Sequence, residues 1–260
     1  MTADQGEALT QSAPASQERT RPFRAFGAME LGVVFQPIVS IATGRQFAVE
    51  ALARCNRAGL EDPAVLFHNA VQDGTVGRLG RAVREVAFSR CRGVPLFVNL
   101  HPAELSSRWL VRPDDPLAFH DHDVYLEITE SAVFKHFGLC MGVLKEVCSR
   151  TGARLVIDDF GAGYSNLSRV ADLEPQVVKL DQELIRGLDK SPRRQILVAS
   201  VVRLCMELGA TVVAEGIETV DELAAARDAG AQYAQGYLLA RPGWPIPGVK
   251  WPAGQWPAER

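Results

Sequence analysis

From about residue 30, short apolar runs rich in β-branched residues alternate with longer stretches in which apolar residues recur every three or four positions. The first pattern predicts buried strands and the second predicts amphipathic helices. The predicted strands are Gly32–Ile41, Phe47–Arg54, Leu96–Leu100, Val124–Ile128, Arg154–Ile157, Val177–Leu180, Thr211–Ala214 and Tyr233–Leu239. The clearest predicted helices are Val76–Arg90, Phe137–Ser149, Gln195–Leu208 and Val220–Ala229.

The order of these elements indicates the fold class. Strands that alternate with helices are typical of a mostly parallel sheet, and eight such strands favour a (β/α)₈ barrel over an open sheet. Only Ala42–Gln46 separates the first two strands, which is hairpin length and too short for a crossover helix. We therefore predict an α/β fold, a modified (β/α)₈ TIM-type barrel with an antiparallel first strand.

The 260 residues suit one large domain, although length alone would also allow two. We expect a polar, disordered leader at residues 1–25, a barrel domain at residues 26–245 and a Pro- and Trp-rich tail at residues 246–260. The leader lacks the apolar segment of a secretory signal. The tail could pack on the barrel wall or fray, and nothing in it specifies chemistry.

Composition narrows the classes of partner. Hydrophobic residues make up 47% of the chain and charged residues 23%, which is typical of a globular protein with a full core. The net charge of −3 gives no reason to expect a DNA or RNA duplex as partner. No apolar run approaches the roughly 20 residues that cross a bilayer, so no membrane is expected. The five cysteines are scattered without a Cys-x-x-Cys pair, which indicates reduced thiols and a cytoplasmic protein.

Polar residues mark the ends of nearly all predicted strands. In a parallel barrel, the carboxyl ends of the strands meet on one face, where the reacting groups of such enzymes lie. The set is rich in oxygen donors and poor in histidine and cysteine, so it favours Mg²⁺ or Mn²⁺ over zinc. Its members are Glu50, Arg54, Asn99, Glu127, Glu130, Asp158, Asp159, Lys179, Asp181, Glu215, Glu218 and Gln235.

Asp158 and Asp159 are the strongest single signal in this set. They are adjacent carboxylates directly after an apolar run, and they repel each other unless a cation lies between them. Glu50 lies inside an apolar run, so it must face the barrel interior or a partner. Lys179 is also flanked by apolar residues and would be a costly buried cation unless acids lie nearby. Any one charged residue at a strand end is more often structural, so the prediction depends on their convergence.

Two further sequence features leave alternatives open. Gly161 and Gly163 could form a phosphate cradle, although two glycines with this spacing are weak evidence, or they could belong to a mobile lid. The run His120-Asp121-His122 could bind a metal, but the histidines of the chain form no helical ligand pair, and we expect no site there.

Together these residues resemble the EAL-domain family of bacterial cyclic di-GMP phosphodiesterases. The motif that names the family stands at Glu50-Ala51-Leu52. A single three-letter match would mean nothing, whereas an ordered series over residues 30–242 is highly specific. The other blocks are Phe35–Val39, Val98–Leu100, Leu126–Ser131, Asp158–Gly161, Val178–Asp181, Val213–Thr219, Ala234–Tyr237 and Arg241–Pro242.

The resemblance implies hydrolysis of one phosphodiester of cyclic di-GMP, giving linear pGpG, with two Mg²⁺ or Mn²⁺ ions. Lys179 and Glu215 would position or deprotonate the attacking water, and Glu50 would complete the catalytic set. Glu130 would anchor the loop Phe160–Leu167, where family members couple homodimer formation to activity. The implied metal ligands are Glu50, Asn99, Glu127, Asp158 and Asp159. The implied nucleotide contacts are Gln36, Leu52, Arg54, Asp181, Glu218 and Gln235, with Arg54 as the phosphate partner.

Two positions depart from the usual family pattern. Ala162 stands where threonine is common, and Leu100-His101 replaces Val-Ser after Asn99. Neither change removes an implied ligand, although the lost hydroxyl at position 162 could alter the order of the loop. Two alternatives to an enzyme stay open, a cyclic di-GMP receptor that does not cleave and a protein-interaction module. Receptors in this family typically lose an acid or the lysine, and the intact set here favours the enzyme.

Overall fold

The computed structural model describes residues 30–107, 109–162, 167–252 and 254, and the predicted leader and the end of the predicted tail lie outside them. Over these residues, strands β1 to β8 form one closed barrel in chain order. The strands are β1 Leu31–Ser40, β2 Gln46–Cys55, β3 Leu96–Asn99, β4 Val124–Thr129, β5 Arg154–Phe160, β6 Val177–Leu180, β7 Thr211–Ala214 and β8 Tyr233–Ala234. The α-helices are α1 Pro63–Gln72, α2 Val76–Arg90, α3 Glu130–Lys135, α4 Phe137–Leu139, α5 Lys145–Thr151, α6 Leu167–Leu173, α7 Gln182–Ile185, α8 Pro192–Glu207 and α9 Val220–Asp228.

The first strand is antiparallel to both of its neighbours. β1 pairs with β2 in a register that sets Gln36 opposite Glu50, and its far end pairs antiparallel with β8. The turn that joins β1 and β2 contains Gly44 at a φ of 65°, a conformation that glycine adopts without strain. All other neighbouring strands are parallel. The predicted modified TIM-type barrel is therefore confirmed.

Several predicted element boundaries are wrong, and each error has a local cause. β8 ends at Ala234 instead of Leu239, because Gly236 lies so close to the backbone of Ile217 that a Cβ there would overlap it. The chain turns at this point, and Leu238 N donates to the carbonyl of Ile217. β5 continues beyond the predicted end at Ile157, through both aspartates.

Two helical regions also differ from the prediction. The single helix predicted at Phe137–Ser149 is divided by a π-helical segment, Cys140–Leu144, between α4 and α5. Helix α1 was not among the clearest helical patterns, yet it has a strong start signal. Asp62 accepts a hydrogen bond from Ala64 N, and Pro63 occupies the first helical position.

Aromatic rings close the amino-terminal end of the barrel. Phe47 stacks on Tyr233 and Phe97 stacks on Tyr125, each pair with ring centroids 4.2 Å apart. Phe97 and Tyr125 are fully or almost fully buried. The lower half of the barrel interior is therefore filled with side chains, and polar chemistry is confined to the carboxyl end.

The described part of the tail packs on the barrel. Ile246 and Val249 lie against the main core, and Lys250 N donates to the carbonyl of Leu239 over 2.8 Å. Trp251 lies over the turn between β1 and β2, where a Cβ on Gly44 would come within 2.9 Å of its ring. Among the helices of the described residues, none has the length and apolar character that a membrane span requires.

Candidate active site

A layer of polar side chains lies directly above the apolar floor of the barrel. Side chains two residues apart on a strand point to the same face. A polar residue that comes two positions after an apolar residue of the floor therefore also faces the barrel interior. This layer contains what we call the strand-end cluster: Glu50, Asn99, Glu127, Asp158, Asp159, Lys179 and Glu215. The pairs of floor and polar residue are Ala48 and Glu50, Phe97 and Asn99, Tyr125 and Glu127, Val156 and Asp158, Val177 and Lys179, Val213 and Glu215, and Tyr233 and Gln235.

Lys179 occupies the centre of the cluster and is 1% exposed. Its Nζ lies 2.7 Å from Glu127 Oε1, 2.7 Å from Glu215 Oε1, 3.1 Å from Asp158 Oδ1 and 3.5 Å from Glu50 Oε2. Burial alone would lower the pKa of Lys179, but the attraction of these carboxylates outweighs it and raises the pKa well above its usual value. Lys179 is therefore a permanent cation.

Glu50 is held as an ionised carboxylate. Its Oε1 accepts a hydrogen bond from Asn99 Nδ2 and its Oε2 accepts one from Gln235 Nε2, each over 2.8 Å. Burial would raise the pKa of Glu50, but Lys179 and these two hydrogen bonds lower it below its usual value. Since Asn99 directs its amide nitrogen at Glu50, its carbonyl oxygen is the group left for another ligand.

Three other carboxylates converge beside Lys179. Asp158, Asp159 and Glu215 each offer an oxygen within 4.8 Å of the other two. Burial and the charge of Asp158 raise the pKa of Asp159 to about 6. Burial, opposed by Lys179, raises the pKa of Glu215 to about 8, and burial followed by repulsion from Glu50 and Asp158 raises that of Glu127 well above its usual value. The high proton affinity of these groups means that the cluster attracts positive charge.

Asp159 has a backbone conformation that the sequence did not reveal. Adjacent residues of a regular strand point to opposite faces, which would separate the two aspartates. Asp159 instead has a φ of 55°, and the register between β5 and β6 shifts between Ile157 and Phe160. This irregularity directs both carboxylates into the site. A left-handed non-glycine residue costs roughly 1–3 kcal/mol, and such strain is characteristic of functional sites.

The residues present fit divalent cations. One lysine faces four carboxylates, and the buried Glu127 Oε2 has no hydrogen-bond partner among the described residues. Buried acceptors are normally satisfied, so this oxygen calls for a ligand. Carboxylate and amide oxygens without histidine or cysteine are the donors that Mg²⁺ and Mn²⁺ prefer.

Four of the predicted nucleotide contacts line one cavity beside the cluster. Gln36, Asp181, Glu218 and Gln235 border a space of about 420 Å³ that also reaches Glu50, Asp159 and Glu215. Gln235 Nε2 donates to Gln36 Oε1 over 3.2 Å, and Gln36 Nε2 donates to the carbonyl of Ala240. The glutamines are thus fixed, and the cavity offers hydrogen-bonding groups next to the carboxylates.

The sequence matches a known protein family. The sequence pattern of the EAL domain matches residues 21–242. The chain belongs to the EAL domain family. It is 32% identical to the cyclic di-GMP phosphodiesterase PdeR of Escherichia coli K12 over 226 residues, which cover 82% of this chain and 34% of PdeR. It is 30% identical to the cyclic di-GMP phosphodiesterase RocR of Pseudomonas aeruginosa PAO1 over 226 residues, which cover 82% of this chain and 57% of RocR.

The fold also matches solved structures. The manganese/cy-diGMP complex of Klebsiella pneumoniae BlrP1 at pH 6 superposes with a TM-score of 0.71 and 33% identity, covering 86% of this chain and 57% of that one. The chain therefore spans between about a third and somewhat over half of the length of these relatives.

Two predicted nucleotide contacts of this EAL domain lie farther along β2. Arg54 Nη1 donates to the carbonyl of Ala53, and Arg54 lines a neighbouring cavity with Gly32 and Trp244. Leu52 lies opposite Val34, between Arg54 and Glu50 on the strand. Their roles in binding the nucleotide stay predictions.

Glu130 connects helix α3 to the loop after β5 in this EAL domain. Its Oε2 accepts a hydrogen bond from Gly161 N over 3.1 Å. Gly161 has a φ of 100° and lies against Leu184, where a Cβ would overlap the side chain. Gly163 and the next three residues of the predicted loop lie outside the described residues. The anchoring contact is present, and the regulatory role of the loop stays a prediction.

Sequence reasoning missed one charged residue of the EAL cavity. Arg186 lines the same space as Gln36 and Asp181, and it follows α7 as the C-terminal cap. The signal that could have found it is its position five residues after Asp181, on the loop that leaves a strand end. The His120 ring stacks on Phe88 and its Nε2 lies 3.3 Å from the carbonyl of Val94, and the absence of a metal site at this run stays a prediction.

Proposed function

We propose that this EAL domain is a metal-dependent phosphodiesterase that hydrolyses cyclic di-GMP, a bacterial second messenger, to linear pGpG. The observation that carries the proposal is the complete strand-end cluster, with one buried lysine facing four carboxylates. The named activity of PdeR and RocR supports the choice of substrate. The manganese/cy-diGMP complex of BlrP1 supports a divalent cation in a site of this fold.

Five side chains are the proposed ligands of two Mg²⁺ or Mn²⁺ ions: Glu50, Asn99, Glu127, Asp158 and Asp159. When bound, such ions would supply the positive charge that offsets the phosphate and lowers the pKa of the attacking water. The ligands come from four different strands, so the fold fixes their positions before substrate arrives. Glu50 is already ionised and oriented by Asn99 and Gln235.

Lys179 and Glu215 have separable roles in the proposal. Lys179 stays protonated, so it orients its neighbours and offsets negative charge instead of accepting a proton. Glu215, with its pKa raised to about 8, has the proton affinity of a general base that works near neutral pH. The Lys179 Nζ lies 2.7 Å from Glu215 Oε1, which fixes the direction in which this carboxylate can accept a proton.

The cavity beside the cluster is the proposed nucleotide site. Gln36, Asp181, Glu218 and Gln235 offer amide and carboxylate groups that can pair with the hydrogen-bonding edges of guanine. Arg54 is the proposed phosphate partner, and Leu52 the proposed apolar contact. A homodimer and a cytoplasmic location also stay predictions.

The proposal is tested by incubating the purified chain with cyclic di-GMP and Mg²⁺, Mn²⁺ or EDTA, followed by chromatography of the nucleotides. We expect pGpG with a metal and none in EDTA. Glu215→Gln keeps the shape of the side chain but removes the base, so turnover should fall about a hundredfold or more. Tight nucleotide binding in EDTA without cleavage in either metal would favour a receptor. Calorimetry without nucleotide binding would favour an interaction module.

A further inference from the structure

A second buried ion cluster lies outside the barrel interior, and we call it the Arg84 cluster: Arg84, Glu104 and Asp115. Arg84 Nη1 donates to Glu104 Oε2 over 2.8 Å, while its Nε and Nη2 donate to the two oxygens of Asp115 over 3.2 and 2.9 Å. All three residues are at most 1% exposed. The cluster joins helix α2 to two turns that lie between β3 and β4.

Glu104 connects this cluster to the segment that follows β3. Its second oxygen, Oε1, accepts a hydrogen bond from His101 N over 3.1 Å, and the His101 ring accepts one from Ala103 N. His101 is two residues after Asn99, the last residue of β3. The His101 ring also stacks on Phe67, with centroids 5.7 Å apart. The segment by which the chain leaves the sheet after Asn99 is thus held in place.

Asn99 needs such support because packing does not hold it. Asn99 is exposed, and within the described part of the chain its side chain makes a single hydrogen bond, from Nδ2 to Glu50. On one side its position follows from the pairing of β3 with β4, where Leu100 N donates to the carbonyl of Glu127. On the other side, the position of Asn99 follows from the turn in which Glu104 binds Arg84. A shift of this turn would move the Asn99 amide oxygen, while the carboxylates of the site would keep their own supports.

We propose that Glu104 is a positioning residue that, through His101, holds Asn99 where it can bind a divalent cation. The inference rests on the proposed metal-dependent function. Glu104 lies directly over Gly80 of α2, where any Cβ would overlap its carboxylate, so the side chain has one place to lie. Asp115 is the second carboxylate that pairs with Arg84, but it contacts the turn Pro116–Phe119 instead of the segment after Asn99.

This difference provides a matched pair of variants. Glu104→Met and Asp115→Leu each remove one carboxylate from Arg84 and replace it with an apolar side chain. We expect Glu104→Met to weaken Mn²⁺ binding about tenfold or more, the usual effect of losing a residue that orients a ligand. Asp115→Leu should change the Mn²⁺ dissociation constant by less than about twofold, even where its loss of stability is equal. Calorimetric titration with Mn²⁺ measures both without any need for turnover.

Equal losses of Mn²⁺ affinity in the two variants, or none in Glu104→Met, would overturn the inference. If either apolar variant does not fold, Glu104→Ala against Asp115→Ala makes the same comparison, because alanine also removes the acceptor that His101 N or Leu117 N uses. Wild-type protein that binds Mn²⁺ but does not cleave cyclic di-GMP would overturn the proposed function alone, because the titration still tests Glu104. Wild-type protein that does not bind Mn²⁺ would overturn both.

Discussion

The two buried ion clusters differ in how completely their charges are satisfied. In the Arg84 cluster, one guanidinium faces two carboxylates. Glu104 Oε1 also accepts a hydrogen bond from His101 N, and Asp115 Oδ1 accepts one from Leu117 N in addition to that from Arg84 Nε. In the strand-end cluster, one ammonium faces four carboxylates, and Glu127 Oε2 has no partner among the described residues. A satisfied cluster is complete as it stands, whereas an unsatisfied one keeps a capacity to bind positive charge.

The difference also separates fold stability from function. A buried ion pair that is fully hydrogen-bonded helps to specify one arrangement of its elements, although apolar residues of similar volume are often as stable. In the strand-end cluster, the excess of carboxylates over cations lowers the stability of the metal-free protein. Charged groups that are left without enough partners are characteristic of functional sites. The left-handed Asp159 belongs to the same group of features.

Among the changes that distinguish the two clusters, Glu50→Ala should have the largest effect. Removing one carboxylate relieves repulsion in the metal-free cluster but deletes a proposed metal ligand and the acceptor for Asn99 and Gln235. We expect turnover of cyclic di-GMP to fall about a thousandfold, which corresponds to roughly 4 kcal/mol, while the melting temperature in EDTA stays the same or rises. Product analysis and thermal denaturation measure the two quantities.

The exposed Glu207 provides a control for Glu50, because Glu207→Ala removes an acid at the end of α8, just before β7 begins, on the side of the barrel away from the cluster. Its turnover should be that of the unaltered chain. Unchanged activity in Glu50→Ala would show that the metal ligands are misassigned. A large loss of stability in that variant would show that the carboxylate serves the fold, as Glu104 does.

Arg84→Met, in contrast to Glu50→Ala, should lower the stability of the protein. It leaves Glu104 and Asp115 buried without their cation, so we expect the free energy of unfolding to fall by about 3 kcal/mol or more. Adding Glu104→Met and Asp115→Leu to Arg84→Met should recover most of this loss, since a buried ion triad can often be replaced by apolar residues. Urea denaturation measures both changes. If the triple variant is no more stable than Arg84→Met alone, the charges are not the source of the loss.

The two clusters also differ in how far the sequence could predict them. A residue on the interior face of a strand is fixed by the two-residue period, so Lys179 and Glu50 stand out as charged positions within apolar runs. Their convergence follows from the barrel, which the alternation of strands and helices predicts. For this reason β6 and β7 have the predicted bounds, and the predicted ligands meet at the strand ends.

The Arg84 cluster had no such signal. Arg84 is one of several arginines on a helix, and its partners are 20 and 31 residues farther along the chain, in turns without a period. The left-handed Asp159 and the early end of β8 were missed for a related reason. Both depend on close contacts with other parts of the chain, at the β5–β6 shift and at Ile217, which no local pattern contains.

The pH dependence of stability is the smallest effect. Burial also raises the pKa of Glu104, so both clusters contribute to this dependence in the same direction, and only its response to Mn²⁺ separates them. Folding raises the pKa of Asp159 from 3.8 to about 6 and that of Glu215 from 4.5 to about 8. Between the unfolded and folded values, the folded state binds more protons, so its stability falls as the pH rises from about 4 to about 8. In EDTA, the urea midpoint should therefore be lower at pH 8 than at pH 5.5.

Saturating Mn²⁺ should reverse this slope, because the ion binds the deprotonated carboxylates and its affinity rises over the same pH range. Asp159→Asn with Glu215→Gln removes two of the titrating carboxylates of the strand-end cluster, so this double variant should have a smaller slope both in EDTA and in Mn²⁺. A slope in EDTA that is as steep in this double variant as in the unaltered chain would place its source in other buried acids, such as Glu127 and Glu104. A slope that Mn²⁺ leaves unchanged would mean that the excess carboxylates of the strand-end cluster are not where the ion binds.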